Sequence, residues 1–289
     1  MKALITGSGG QVGRAIIDAA PAGTALVAAT HADLDIRDRV AVSEFVGASL
    51  PDLIISAAAY TAVDKAETEP ELAHEVNAVG AGNLATAARE AGARMIQLST
   101  DFVFDGESPT PYAPDAAPSP LGVYGVTKLA GEQAVLSSMP NDAIVLRTAW
   151  VYAPKGQNFL LTMLHLMRDK GSVQVVSDQT GTPTSAASIA EAIWALAAKP
   201  DLAGIYHWTD SGIASWHDFA IAIAEVAALL GLVPESVKVV PVGTEDYPTL
   251  ARRPHYSVLD CRSTVDAIGI EPRHWRDNLR HVLGEITLG

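Results

Sequence analysis

The chain has 289 residues, 48% of them hydrophobic and 18% charged, which suits a globular protein with a sizeable core and excludes an intrinsically disordered one. A net charge of −13 argues against nucleic acid as a partner, since a phosphate backbone needs a basic face, although a single nucleotide needs only a few local donors. The lone cysteine, Cys261, forbids an intrachain disulfide, no stretch offers the ~20 apolar residues of a membrane span, and Met1 enters a strand-like run without a signal-peptide pattern, so a cytoplasmic protein with no membrane partner is expected.

The first predicted strand, Lys2–Thr6, runs into Gly7-Ser8-Gly9-Gly10-Gln11-Val12-Gly13, which opens a predicted helix over Gln11–Ala20. Glycines at 7, 10 and 13 suit a tight turn, close approach to a pyrophosphate and close helix–strand packing, with the anion at the helix N-terminus. A second strand spans Thr24–Thr30. A dinucleotide-binding chain usually ends this strand on an acid for the adenosine ribose, but here Thr30 and His31 stand there, with Asp33 and Asp35 just beyond. The repulsion of a 2′-phosphate is therefore missing, and NADPH is expected to serve at least as well as NADH. Asp35-Ile36 either flanks the adenine ring or caps the next helix, predicted over Asp38–Ala48.

Strands at Asp52–Ala58, Arg94–Ser99 and Ala143–Thr148 alternate with helices at Glu71–Ala91 and Val123–Ser138. These strands read as buried on both faces, which is how parallel strands read. The segment Ser108–Pro120 holds five prolines and is expected to be a long ordered loop or lid. Beyond Trp150 come helices near Asn158–Asp169, Ala186–Ala198, Trp216–Leu230 and Trp275–Ile286, and strands near Ser172–Ser177, Gly204–Trp208 and Lys238–Val242. The expected fold is α/β: a Rossmann-like, doubly wound parallel sheet with a smaller C-terminal substrate-binding lobe. Residues 1–150 would form the dinucleotide-binding domain and 151–289 mainly the lobe, interleaved with the first. Ligands would bind at the carboxyl ends of the strands.

Tyr124-Gly125-Val126-Thr127-Lys128 places Tyr124 and Lys128 on one face of a predicted helix. Reduction of a ketone needs a proton for the alkoxide formed as hydride arrives. A free tyrosine, with a pKa near ~10, holds its proton too tightly, and a nearby ammonium is expected to lower that value. Thr100, at the carboxyl end of a predicted strand, is expected to donate to the substrate carbonyl. Thr100, Tyr124 and Lys128 are the candidate catalytic residues.

The chain resembles the extended short-chain dehydrogenase/reductases, and within them the dTDP-4-dehydrorhamnose reductases. The resemblance runs almost end to end, through GSGGQVG (7–13), AAAYTAVDKAETEPELA (57–73), Asn77, STDFVF (99–104), SPLGVYGVTKLAGE (119–132), RTAWVY (147–152), KGQNF (155–159), DQTGTPT (178–184), the stretch from Gly204 to Ala220, and Arg253-Pro254. It implies NADPH- or NADH-dependent reduction of the C4 ketone of dTDP-6-deoxy-L-lyxo-4-hexulose to dTDP-L-rhamnose. It further implies that Gly7, Gly10, Gln11, Val12, Gly13, Asp35, Ile36, Ala57, Ala58, Ala59, Tyr124 and Lys128 border the cofactor. Thr61, Val63, Asp101, Phe102, Trp150, Asn158, Gln179 and Arg253 fall at substrate positions. Phe102 lacks the hydroxyl that the family's tyrosine offers the sugar. Some relatives hold a magnesium ion at a dimer interface through glutamates; Arg14-Ala15 follows Gly13 here, so no metal and a monomer or weak homodimer are expected.

Trp150, at a strand end, either stacks on a sugar or fills the core. Arg253 either clamps a diphosphate or forms an ion pair. Gln179 sits in a Gly/Pro loop suited to sugar-nucleotide contact, Asn158 either caps a helix or touches substrate, and Asp64, Lys65 and Glu67 read as a salt network. Other functions remain open: another NDP-sugar reductase, an epimerase or dehydratase on the same scaffold, or a non-catalytic regulatory subunit such as the beta subunit of methionine adenosyltransferase. A dehydratase would add an Asp-Glu pair after the threonine, and this chain has Asp101-Phe102.

Overall fold

The computed structural model describes residues 1–286. Five strands, β1 (Lys2–Thr6), β2 (Ala25–Ala29), β3 (Leu53–Ser56), β4 (Arg94–Thr100) and β5 (Ala143–Thr148), join a sixth, Gly204–His207, in one sheet. Its order is sixth strand, β5, β4, β3, β1, β2, and every neighbouring pair is parallel. The strands are short apolar runs because both faces are covered. Ala3 and Ile5 face one layer with Ile55, Ile96 and Ile144, while Leu4 faces the other with Ile54 and Met95. β2 and β3 lie on opposite sides of β1, so the chain steps out to β2 and then crosses back past β1 to β3, which opens a crevice at the carboxyl ends of these strands.

Helix α1 (Gln11–Asp18) and the helix Ala186–Ala197 cover one face, where Trp194 Nε1 donates to the Ile16 carbonyl at 2.9 Å. Helix α2 (Arg39–Ser49), the segment Pro70–Ala91 and the long helix Val123–Ser138 cover the other. The predicted helix Glu71–Ala91 is interrupted by a π-helical stretch, Glu75–Gly80. A side chain at Gly80 would meet Ile36 at 2.6 Å, and one at Gly131 on the long helix would collide with the Asn77 carbonyl. Close packing on both sides thus accompanies the irregular turn.

Residues past Trp150 therefore return two helices, Ala186–Ala197 and Arg262–Ile268, and one strand to the first layer. The remainder packs around Leu160, Leu164, Phe219, Ile223 and Leu279, from helices Phe159–Lys170, Trp216–Leu229 and Trp275–Gly284. A parallel pair, Ser172–Val176 with Lys238–Val242, flanks them. Two short helices, Val63–Ala66 and Arg262–Ile268, were not expected: one or two turns are too few to make an apolar period legible.

The Pro-rich segment is an anchored loop and not a lid. The Tyr112 ring stacks on Phe104 at 4.1 Å. Its hydroxyl donates to Asp105 and accepts from the Gly106 and Ser108 N–H groups. Arg147 donates to the Pro114 carbonyl, and His207 Nδ1 lies 3.0 Å from the Tyr112 carbonyl. Burial and the neighbouring Arg147 push the His207 pKa down to about 3, so the ring is neutral and Nδ1 is the donor to that carbonyl.

Candidate active site

The glycine turn sits at the crevice. Gly7 has φ +69°, and a Cβ there would lie 2.5 Å from the Ala58 N atom; a Cβ on Gly13 would run into the Gly7 carbonyl. These two glycines are therefore required by backbone packing. Gly9 and Gly10 are exposed and form the lip of the turn. No side chain caps α1 at Gly10, which leaves the first N–H groups of the helix for an anion. Ala57 and Ala58 leave β3 directly against this turn, with small side chains that keep the crevice open, and Ala59 follows them. The cradle fits the pyrophosphate of a dinucleotide.

At the end of β2 the structure corrects two expectations. The strand end is not without an acid, because the Thr30 N–H and hydroxyl both donate to Asp33 Oδ2, at 2.9 and 2.6 Å. These bonds hold the Asp33 carboxyl below its usual range. A carboxylate thus stands at the strand end after all, delivered from three residues downstream. Asp35 does not cap α2; Asp38 does, accepting from Val40 N and Ala41 N. Asp35 instead grips Arg37, whose guanidinium holds the Asp35 carboxyl at about 2. Ile36 is buried against Gly80.

The long helix carries Tyr124 and Lys128, and three contacts set its position. Glu67 Oε1 accepts from Val123 N at 2.9 Å at the first turn. Gly125 presents no Cβ to the Phe102 carbonyl, which lets the helix lie against the end of β4. Asn77 brackets Tyr60 through its N–H and carbonyl and donates to Thr127 Oγ1 at 3.1 Å. Glu67 and Asn77 carry this geometry without looking catalytic in the sequence. Deeper down, Glu132 pairs with Arg147 through two bonds of 2.9 and 2.7 Å and accepts from the Ser99 hydroxyl. This buried pair ties the helix to β4 and β5 directly beneath Thr100.

Thr100, Tyr124 and Lys128 converge at the end of β4. The Thr100 hydroxyl lies close enough to Tyr124 to favour its phenolate, yet burial prevails and pushes the Tyr124 pKa up to about 12. The expected lowering by Lys128 is not found. Lys128 is itself buried, donates to the Leu98 carbonyl at 2.7 Å, and is pushed down to about 8 by desolvation, against the pull of Glu132. Tyr124 therefore holds its proton at neutral pH, as an acid for reduction must before hydride arrives. The Phe102 ring meets Tyr124 edge-on at 5.6 Å.

The expected substrate residues divide. Thr61 is exposed and Val63 half-buried on the far lip, beside Asp64. Trp150 has φ +48°, a conformation that costs a non-glycine residue roughly 1–2 kcal/mol. It is stacked on Trp216 at 3.5 Å and 4°, and a Cβ on Gly181 would lie 2.5 Å from its ring, so it is a packed wall and not a free stacking face. Arg253 is paired with Asp64 by bonds of 3.1 and 2.7 Å and also donates to the Ala251 carbonyl, the ion-pair alternative of the two the sequence left open. Lys65 pairs with Glu69, so the expected Asp64, Lys65 and Glu67 network is three separate links. Gln179 is buried and donates to Thr244 Oγ1. Asn158 both caps its helix, accepting from Leu161 N, and reaches Gln11. Asp101 is buried behind Thr100 and does not face the cleft.

Parallel sheet, glycine turn and a Thr–Tyr–Lys set at a strand end define an oxidoreductase of the extended short-chain dehydrogenase/reductase class. The family model for the RmlD substrate binding domain matches residues 1–288. The dTDP-4-dehydrorhamnose reductase of Mycolicibacterium smegmatis is 43% identical over 98% of this chain and 85% of its own length. That of Escherichia coli is 40% identical over 99% and 98%. A crystal structure of the dTDP-4-dehydrorhamnose reductase from Bacillus anthracis, in complex with NADP, superposes with a TM-score of 0.92 at 34% identity, over 98% of this chain and 99% of that one. The chain belongs to the RmlD substrate-binding family, that of the dTDP-4-dehydrorhamnose reductases. No helix among the described residues is long and apolar enough to cross a membrane.

Proposed function

We propose that this protein reduces the C4 ketone of dTDP-6-deoxy-L-lyxo-4-hexulose to dTDP-L-rhamnose. The observation that carries this reading is the convergence of Thr100, Tyr124 and Lys128 at the carboxyl end of β4, beside a glycine cradle that fits a dinucleotide. NADPH or NADH, bound along Gly7–Gly13 and Ala57–Ala59, supplies the hydride. Tyr124 then gives its proton to the carbonyl oxygen, and Thr100 donates a hydrogen bond to the same oxygen as its charge grows. Lys128 keeps two N–H donors beyond the one spent on Leu98 O, enough to hold a ribose hydroxyl near Tyr124. The exposed Thr61, the half-buried Val63 and the Trp150–Trp216 stack wall the sugar side, with Phe102 leaving one face apolar. Phe102 stands where a dehydratase would carry the glutamate of its Asp-Glu pair, so Asp101 has no acidic neighbour for that chemistry. The test is NADPH consumption with enzymatically made dTDP-4-keto-6-deoxyhexose, with and without the preceding 3,5-epimerase. Turnover that requires the epimerase supports the reading, and none under either condition defeats it.

A further inference from the structure

Asp101 is the anomaly of the site. Its side chain is 2% exposed, Oδ1 is 3.1 Å from Thr100 Oγ1, and Oδ2 makes no well-formed hydrogen bond, with only the Ser257 hydroxyl near the carboxyl on that side. A buried carboxylate with an unpartnered oxygen is costly, whereas the same oxygen as the carbonyl of a neutral acid is a weaker acceptor and loses less.

The hydroxyl of Thr100 limits what can happen next. It has one proton and two lone pairs. Phe102 N donates into one lone pair at 3.2 Å. One proton and one lone pair remain, to be shared between Asp101 on one side and the cleft on the other. If Asp101 is ionised, it accepts the Thr100 proton. Thr100 then shows the cleft only a lone pair, and Tyr124 is drawn to donate to Thr100 instead of to a ketone. If Asp101 is protonated, it donates into that lone pair, and the Thr100 proton points into the cleft.

We propose that Asp101 is a positioning residue that acts as a neutral acid, donating to Thr100 so that the hydroxyls of Thr100 and Tyr124 both aim their protons at the substrate carbonyl oxygen. No atom of Asp101 touches substrate and no proton leaves it during turnover; the proton delivered to the alkoxide is that of Tyr124. Tyr124 faces the carboxyl from the long helix, where it opposes a second negative charge, and Ser257 faces it from the C-terminal segment. Burial pushes the Asp101 pKa up to about 6, against the opposing hydroxyls of Ser257 and Thr100, so both forms are accessible in solution. The inference rests on the reductase reading, because it assigns the Thr100 proton to a ketone.

Two measurements test it. The first is the pH dependence of kcat/KM, which reports free-enzyme pKa values. The wild type should lose activity as pH rises through about 6, the value toward which burial moves Asp101. Asp101→Asn, whose amide donates at every pH, should keep at least a tenth of the wild-type maximum and lack that limb. Asp101→Leu should be slow at every pH. A limb that persists in Asp101→Asn overturns the proposal. The second is a carbon NMR titration of the wild-type side-chain carboxyls, with the Asp101 signal assigned by its loss in Asp101→Asn. It needs neither substrate nor turnover, so it stands even if the reductase reading fails. A titration near 6 supports the neutral acid; a carboxyl already ionised at pH 4 overturns it even if the variants misfold.

Discussion

Asn158 Nδ2 donates to Gln11 Oε1 at 2.7 Å, joining two residues 147 positions apart. Gln11 opens the helix that follows the glycine turn, and Asn158 caps the first helix of the C-terminal layer. Gln11 Nε2 returns a bond to the Gln157 carbonyl. The dinucleotide cradle is thus braced by the lobe proposed to hold the sugar.

Asn158→Asp keeps the cap but loses the amide donor and sets a negative charge beside the anion site. NADPH affinity should fall by about tenfold, near the ~1.4 kcal/mol of one charge-sensitive contact. Melting should fall modestly, because an Asp keeps the cap but loses the bonds donated to Gln11 and Ala153. A fluorescence titration with NADPH checks it, and unaltered affinity would show the brace to be idle.

Lys128→Met should abolish most activity and yet raise the melting temperature of the cofactor-free protein at pH 7. The Lys128 pKa is depressed in the fold, from 10.5 to about 8. Its contribution is fully present above the unfolded value and lost as pH falls through the folded one, so below pH 8 the buried charge is a burden. Removing it should stabilise by on the order of 1–2 kcal/mol at pH 7, after the lost bond to Leu98 O is discounted. The gain should fade between pH 8 and 10.5. A variant that melts lower at pH 7 would mean that the ammonium is well solvated.

Asp33→Asn should shift kcat/KM toward NADPH over NADH by about tenfold, since it removes the carboxylate held at the end of β2, where an acid repels a 2′-phosphate. The unmodified enzyme should accept both cofactors. If the ratio is unmoved, Asp33 does not face the ribose.

Arg253→Ala and Asp64→Asn separate two roles. If Arg253 serves only to hold the Thr61–Asp64 turn, both variants should raise KM alike, by a few-fold, with kcat kept. If the guanidinium leaves Asp64 for the substrate diphosphate, Arg253→Ala should be worse by about tenfold or more, the worth of a charge-assisted contact.

How much could be read from the sequence follows from the range of each interaction. The parallel strands and the long helix were legible because continuous apolar runs and 3.6-residue periods are local. The glycine turn and the Thr–Tyr–Lys set were legible because their chemistry dictates residue type and place. The pairings of Arg253 with Asp64 and of Asn158 with Gln11 were not, because the partners lie 189 and 147 residues away. Thr30 misled because Asp33, three residues on, folds back to bond it. The Tyr124 pKa misled because burial outweighs a charge, and burial is a property of the packed site.

The central claim is that hydride is delivered to C4 of a dTDP-linked keto sugar while Tyr124 supplies the proton. It is tested most directly by turnover with cofactor carrying deuterium at the transferable nicotinamide position, followed by NMR of the sugar product. The account predicts one deuterium at C4 of dTDP-L-rhamnose for each cofactor oxidised, and a rate at least about 10²-fold lower in Tyr124→Phe with cofactor binding retained. Deuterium at another carbon, a product formed without net cofactor oxidation, or near-normal turnover in Tyr124→Phe would contradict it.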